Sequence, residues 1–125
     1  MAIMYRVTLT PYQLNEAHHK YEVMRDDGCE PGTMAAHYGF TDATLFAFGA
    51  KLGTRMTLTE QEVVALYGEI GNAADIASDN IGYGEDDAHY RAAVRSFRSL
   101  QDKLQYMLPG VRAMAGRGVG VRTLL

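Results

Sequence analysis

Cysteine is almost absent from this chain: Cys29 stands alone, which excludes an internal disulfide and fits a reducing compartment. No apolar run approaches the roughly 20 residues of a membrane span. Met1-Ala2-Ile3-Met4-Tyr5-Arg6 lacks an apolar core behind a basic start, so no secretory leader is expected and the chain reads as cytoplasmic. Catalytic signatures are missing too. Gly116-Arg117-Gly118-Val119-Gly120 has no strand before it and no helix after it, as a phosphate loop requires. No paired-carboxylate or Ser/His/Asp arrangement stands out, so no enzyme is expected. His18, His19, Cys29 and His37 are close in sequence, but their spacing matches no closed zinc site, and neither a metal nor a cofactor is expected. No internal repeat is evident.

Positive charge is scarce by region. Residues 57–90 contain no lysine or arginine against eight acids, a local balance of −8. Residues 1–56 hold five basic and six acidic residues (−1), and residues 91–125 hold seven and one (+6). The net −3 therefore conceals an acidic middle and a basic end. With 47% hydrophobic and 22% charged residues, the 125-residue chain is not disordered throughout, and it suits one domain or a small one with an appended helical piece.

Helix punctuation is abundant. The stretch from Tyr5 to Leu9 alternates like a short strand or an extended lead-in. Thr10 and Pro11 start a first helix as N-cap and first helical residue, with Leu14, Ala17, Tyr21 and Met24 as its buried stripe and Asp26-Asp27-Gly28 as its end. Pro31 opens a short second helix running to about Tyr38, Gly39 supplies a turn, and Thr41 caps a third helix that buries Leu45, Phe48 and Leu52 and stops at Gly53. Thr59 and Glu62 form a capping box for a fourth helix, with Leu58 stapled onto Val63. That helix buries Val63, Leu66, Ile70, Ala73 and Ala77, while Gly68 and Gly71 would admit another backbone. After a loop at Asn80-Ile81-Gly82-Tyr83-Gly84, Glu85-Asp86-Asp87 sit at the positive end of a fifth helix. Its seam is Tyr90, Ala93, Phe97, Leu100, Leu104 and Met107, and Leu108-Pro109-Gly110 stops it.

The expected fold is all-α. It comprises a three-helix helix-turn-helix unit over 1–56, an antiparallel helical hairpin over 57–108 serving as a dimerisation element, and a flexible Gly/Arg-containing basic tail over 109–125.

The leucine-threonine-proline start at Leu9 and the run Ala35-Ala36-His37-Tyr38-Gly39-Phe40-Thr41-Asp42-Ala43-Thr44-Leu45-Phe46 carry a family resemblance. Residues 9–53 resemble the helix-turn-helix domain of resolvase/transposase-type and phage regulatory DNA-binding proteins. The resemblance implies that Ala35 and Gly39 set the turn, Leu45 anchors the recognition helix, and Thr41, Asp42, Thr44, Phe46 and Ala47 face the DNA groove. Lys51 and Arg55, with Arg6 and Lys20 behind them, are the expected phosphate contacts. DNA-binding members carry arginine or lysine around the positions held here by Asp42 and Ala47. The tail arginines Arg112, Arg117 and Arg122 would add backbone contacts.

The function expected from these residues is a small DNA-binding regulator or accessory factor of a phage or mobile element, acting as a homodimer through the third helix. The alternative is a non-enzymatic interaction or inhibitor protein of the phage anti-defence type that binds a host protein. It would use the acidic residues Glu60, Glu62, Glu69, Asp75, Asp79, Glu85, Asp86 and Asp87, or the apolar Phe46/Phe48 surface. The bland reading of the acids is a solvated helix face partly paired with Arg91, Arg95, Arg98 and Lys103.

Overall fold

The computed structural model describes residues 3–108; the tail over 109–125, with Arg112, Arg117 and Arg122, lies outside them. Seven elements follow in order: β1 (Tyr5–Thr8), α1 (Pro11–Asp27), α2 (Met34–His37), α3 (Asp42–Lys51), β2 (Arg55–Leu58), α4 (Glu60–Asp79) and α5 (Asp87–Met107). The chain is mostly helical, with a two-stranded sheet that the all-α expectation omitted.

Threonine caps set four of the five helix starts; α5 follows Asp86, which makes no side-chain cap bond. Thr10 Oγ1 accepts from the Gln13 N–H at 3.1 Å while Gln13 Oε1 accepts from the Thr10 N–H at 2.9 Å. Thr41 with Thr44 and Thr59 with Glu62 close the same reciprocal box. Helix α2 starts at Met34 under a Thr33 cap; Pro31 lies in the preceding turn, so the proline marked a turn and the threonine the helix. The α2 end is a Schellman motif: Phe40 N–H reaches Ala35 O and Gly39 N–H reaches Ala36 O, both at 3.0 Å, with Gly39 at φ 76°. Phe40 is buried there and stacks on Phe48.

Strands β1 and β2 pair antiparallel with Arg6 opposite Thr57, Val7 opposite Met56 and Thr8 opposite Arg55. The ladder exposes an internal repeat. Arg6-Val7-Thr8-Leu9-Thr10 and Arg55-Met56-Thr57-Leu58-Thr59 differ only at the second position and lie 49 residues apart. The same offset relates the caps, the helix starts Pro11 and Glu60, and the stripes Leu14/Ala17/Tyr21/Met24 and Val63/Leu66/Ile70/Ala73. The register places a local pseudo-dyad through the Val7–Met56 pair.

The boundary expected between residues 56 and 57 falls inside β2, and one continuous core spans both halves. Helix α4 is the hub: it pairs with α5 as a helical hairpin and packs against α1 on another side. Five consecutive residues, Glu62 to Leu66, are buried in it, which a single-seam helix would not show. Gln13 of α1 donates to Ser96 O of α5 at 3.0 Å, and Tyr12 stacks on Phe97, closing a three-helix arrangement. Gly68 and Gly71 admit side chains, not backbones: Tyr38 fills the space over Gly68 and Gln101 that over Gly71. No helix among the described residues is long and apolar enough to cross a membrane.

Candidate nucleic-acid interface

Helix α3 is held from beneath and open above. Leu45 and Phe48 are buried, Tyr21 packs edge-on against Phe48, and the Tyr21 ring also covers Gly49, which has no room for a side chain. At about 100° per residue, the opposite ridge consists of Ala43, Phe46, Ala47 and Ala50, all exposed. Phe46 is 74% exposed, which makes it the outermost large side chain of the helix. Phe48 is buried, as the apolar stripe of the helix required, and does not share the surface that the protein-binding alternative gave it with Phe46.

The remaining residues expected to face DNA differ in availability. Thr41 and Thr44 are exposed, but their hydroxyls lie 3.1 Å apart within the capping box. Asp42 is exposed at the helix N-terminus and accepts from Cys29. Burial, then the Asp42 hydrogen bond and charge, push the Cys29 thiol above its ordinary value, away from the reactive thiolate. Lys51 is committed: its Nζ lies 2.7 Å from Oε1 of Glu62, which also accepts from the Thr59 N–H at 2.8 Å. Glu62 is 3% exposed, so Lys51 offsets a buried carboxylate before it can serve a phosphate. Lys51→Ala is therefore expected to cost about 1 kcal/mol of stability, since Lys51 is a third exposed and the Thr59 bond survives. A urea midpoint equal to wild type would refute that.

Two expected contacts move off the surface. Lys20 is buried and donates to Asn72 Oδ1 at 2.7 Å. Of the acids proposed to bind a partner, Glu62 and Glu69 are interior. Asp75 pairs with Arg98 at 2.6 Å, and Asp87 accepts from the Gly82 N–H. Glu60, Asp79, Glu85 and Asp86 remain exposed. Arg98 is thus the one basic residue of α5 with an acidic partner on α4 among the described residues; Arg91, Arg95 and Lys103 have none. His18, His19 and His37 are exposed, and no three metal-ligating side chains gather among the described residues.

The free cations nearest α3 in sequence lie on the sheet. Residues alternate across the strands, so Tyr5, Val7, Met56 and Leu58 face inward, while Arg6, Thr8, Arg55 and Thr57 are exposed. Neither the Arg6 nor the Arg55 side chain has an ion-pair or hydrogen-bond partner among the described residues. No carboxylate occurs in residues 3–15 or 43–59, which form the sheet and all of α3 but its exposed first residue, Asp42.

No protein-family model, curated protein or solved structure matches this chain. Arg6 and Arg55 were anticipated as phosphate contacts; Thr8 and Thr57 were not. The repeated Arg-x-Thr-Leu-Thr was the available signal for all four.

Proposed function

We propose that the chain is a small non-enzymatic DNA-binding regulator or accessory factor that contacts duplex DNA through the surface formed by α3 and the sheet. The observation that carries this reading is the carboxylate-free stretch 43–59, together with 3–15, in a protein of net charge −3. Segregated charge of this kind leaves an anion-accepting face on an acidic molecule. The helix-turn-helix resemblance of residues 9–53 supports the same class. A homodimer would set two such faces on successive turns of the duplex.

Fluorescence anisotropy with a labelled 24-base-pair duplex tests it. Binding at 50 mM salt that weakens at least tenfold by 200 mM is expected, because even a few phosphate contacts impose a steep salt slope. Absence of binding at 50 mM salt would overturn the reading.

The exposed Phe46, set among alanines, favours a second reading in which α3 docks on a protein. A large aromatic ringed by small residues is a typical anchor for a partner's pocket. On that reading Phe46→Asp abolishes complex formation with the partner and leaves DNA affinity unchanged.

A further inference from the structure

We propose that the β1–β2 ribbon, not α3, is the element that enters the DNA major groove, with Arg6, Thr8, Arg55 and Thr57 reaching the base edges. The inference rests on the duplex-DNA reading above and specifies its recognition element.

The outer face of the ribbon is wholly polar and the inner face apolar, so the ladder presents its side chains in one direction. An arginine fork matches the paired acceptors of guanine, and threonine offers a hydroxyl to any base edge and a methyl to thymine. Helix α3 offers alanines and one phenylalanine on its outer ridge, and its one lysine is held by Glu62. Hydrogen-bond readout is therefore available on the ribbon and scarce on the helix.

Shape agrees. Two strands about 4.8 Å apart, with their side chains, fit a major groove roughly 12 Å wide. A shallow depression of about 210 Å³ lies along Arg6, Thr8, Arg55 and Thr57. Cross-strand pairing sets Arg6 beside Thr57 and Thr8 beside Arg55, so the pseudo-dyad presents the same Arg–Thr pair twice in opposite directions. A duplex has local dyads of its own, and alignment of the two gives each DNA strand one arginine and one threonine. The preferred site is accordingly short and near-palindromic, with a guanine on each strand.

The ends of the ribbon lead directly into helices. Thr10 and Thr59 cap α1 and α4, so a helix N-terminus lies just past the C-terminal end of each strand, a position suited to a phosphate. The first turn of α1 carries no acid, whereas α4 begins with the exposed Glu60. That asymmetry makes the β1 end the tighter half.

The test uses the full chain and labelled duplexes with 20 randomised base pairs, from which bound sequences are selected, followed by anisotropy on the selected pool. Arg6→Gln/Arg55→Gln is compared with Arg91→Gln/Arg95→Gln, which removes the same charge from α5, and with Phe46→Ala. All five residues are exposed, and circular dichroism checks that each variant is folded.

The ribbon double variant is expected to lose at least tenfold in affinity and to enrich no site, since each bidentate arginine contributes about that much discrimination. The α5 variant should stay within threefold of wild type, and Phe46→Ala, on the neighbouring face of α3, should lose less affinity than the ribbon variant. A-form duplex RNA, whose deep narrow major groove excludes a ribbon, should bind at least tenfold more weakly. DNA binding that survives the ribbon changes, falls equally with the α5 changes, or is matched by duplex RNA overturns the ribbon proposal while leaving nucleic-acid binding intact. No binding by the wild-type chain overturns both.

Discussion

Replacing Lys20 with methionine is expected to cost about 3 kcal/mol of stability at pH 8 and less at pH 5. Lys20 and Glu69 are equivalent positions of the internal repeat, 49 residues apart, and both are buried, at 8% exposure each. Desolvation pushes the Glu69 carboxyl above its ordinary value of 4.5; the nearby Lys20 charge and a hydrogen bond from Tyr38 pull it back only in part. A native value above the unfolded one means the folded chain holds more protons between the two. The associated stability is fully present below the unfolded value and is lost as pH rises through the native one. Without Lys20 the native value climbs further, so the loss deepens towards alkaline pH. Methionine fills the volume of the lysine stem, which isolates the charge effect from a cavity. Glu69→Gln should flatten the pH profile, and the double variant Lys20→Met/Glu69→Gln should recover most of the loss. Urea unfolding at the two pH values checks this, and equal losses at both would dismiss the coupling.

Gly68→Ala is expected to destabilise the fold by about 2 kcal/mol, although alanine favours a helix over glycine by about 1 kcal/mol. A Cβ at Gly68 would collide with the hydroxyl end of Tyr38. Tyr38 is 3% exposed, and its hydroxyl serves Glu69, so the ring has nowhere to swing without baring a buried carboxylate. The two penalties, overpacking and a lost bond to a buried charge, together outweigh the propensity gain. Tyr38→Phe in the Gly68→Ala background removes the colliding oxygen and should return part of the loss. A Gly68→Ala chain that melts at or above the wild-type temperature would contradict the packing argument.

Much of the helical framework was legible in the sequence because its signals are local. Thr10, Thr41 and Thr59 each cap a helix because a threonine oxygen three residues before an amide needs no tertiary partner. Gly39 marked the turn because the positive φ there is open to glycine at little cost. Pro31 misled for the same local reason: a proline suits a turn as well as a first helical turn, and Thr33 offered the stronger cap. The β1–β2 pairing was missed because strands of four residues carry little periodicity, although the repeated Arg-x-Thr-Leu-Thr announced two equivalent elements.

The candidate site was less legible. Lys51 and Arg55 look alike as sequence, both basic and four residues apart. One is held by the buried Glu62, and the other stands free on the ribbon. Glu62 and Glu60 diverge in the same way, one interior and one exposed, because two residues rotate a helix by about 200° and place them on opposite faces.

The sequence alone determined where most of the helices begin and end, which stripes are apolar, and that charge is segregated along the chain. Those properties follow from hydrogen bonds and periodicities spanning a few residues. Only the tertiary structure decided which charges meet, that Phe46 faces outward, that Phe48 stacks on Phe40, and that residues 5–8 lie against 55–58. A charge's role is set by its solvation and its partner, and both are supplied by segments distant in the chain.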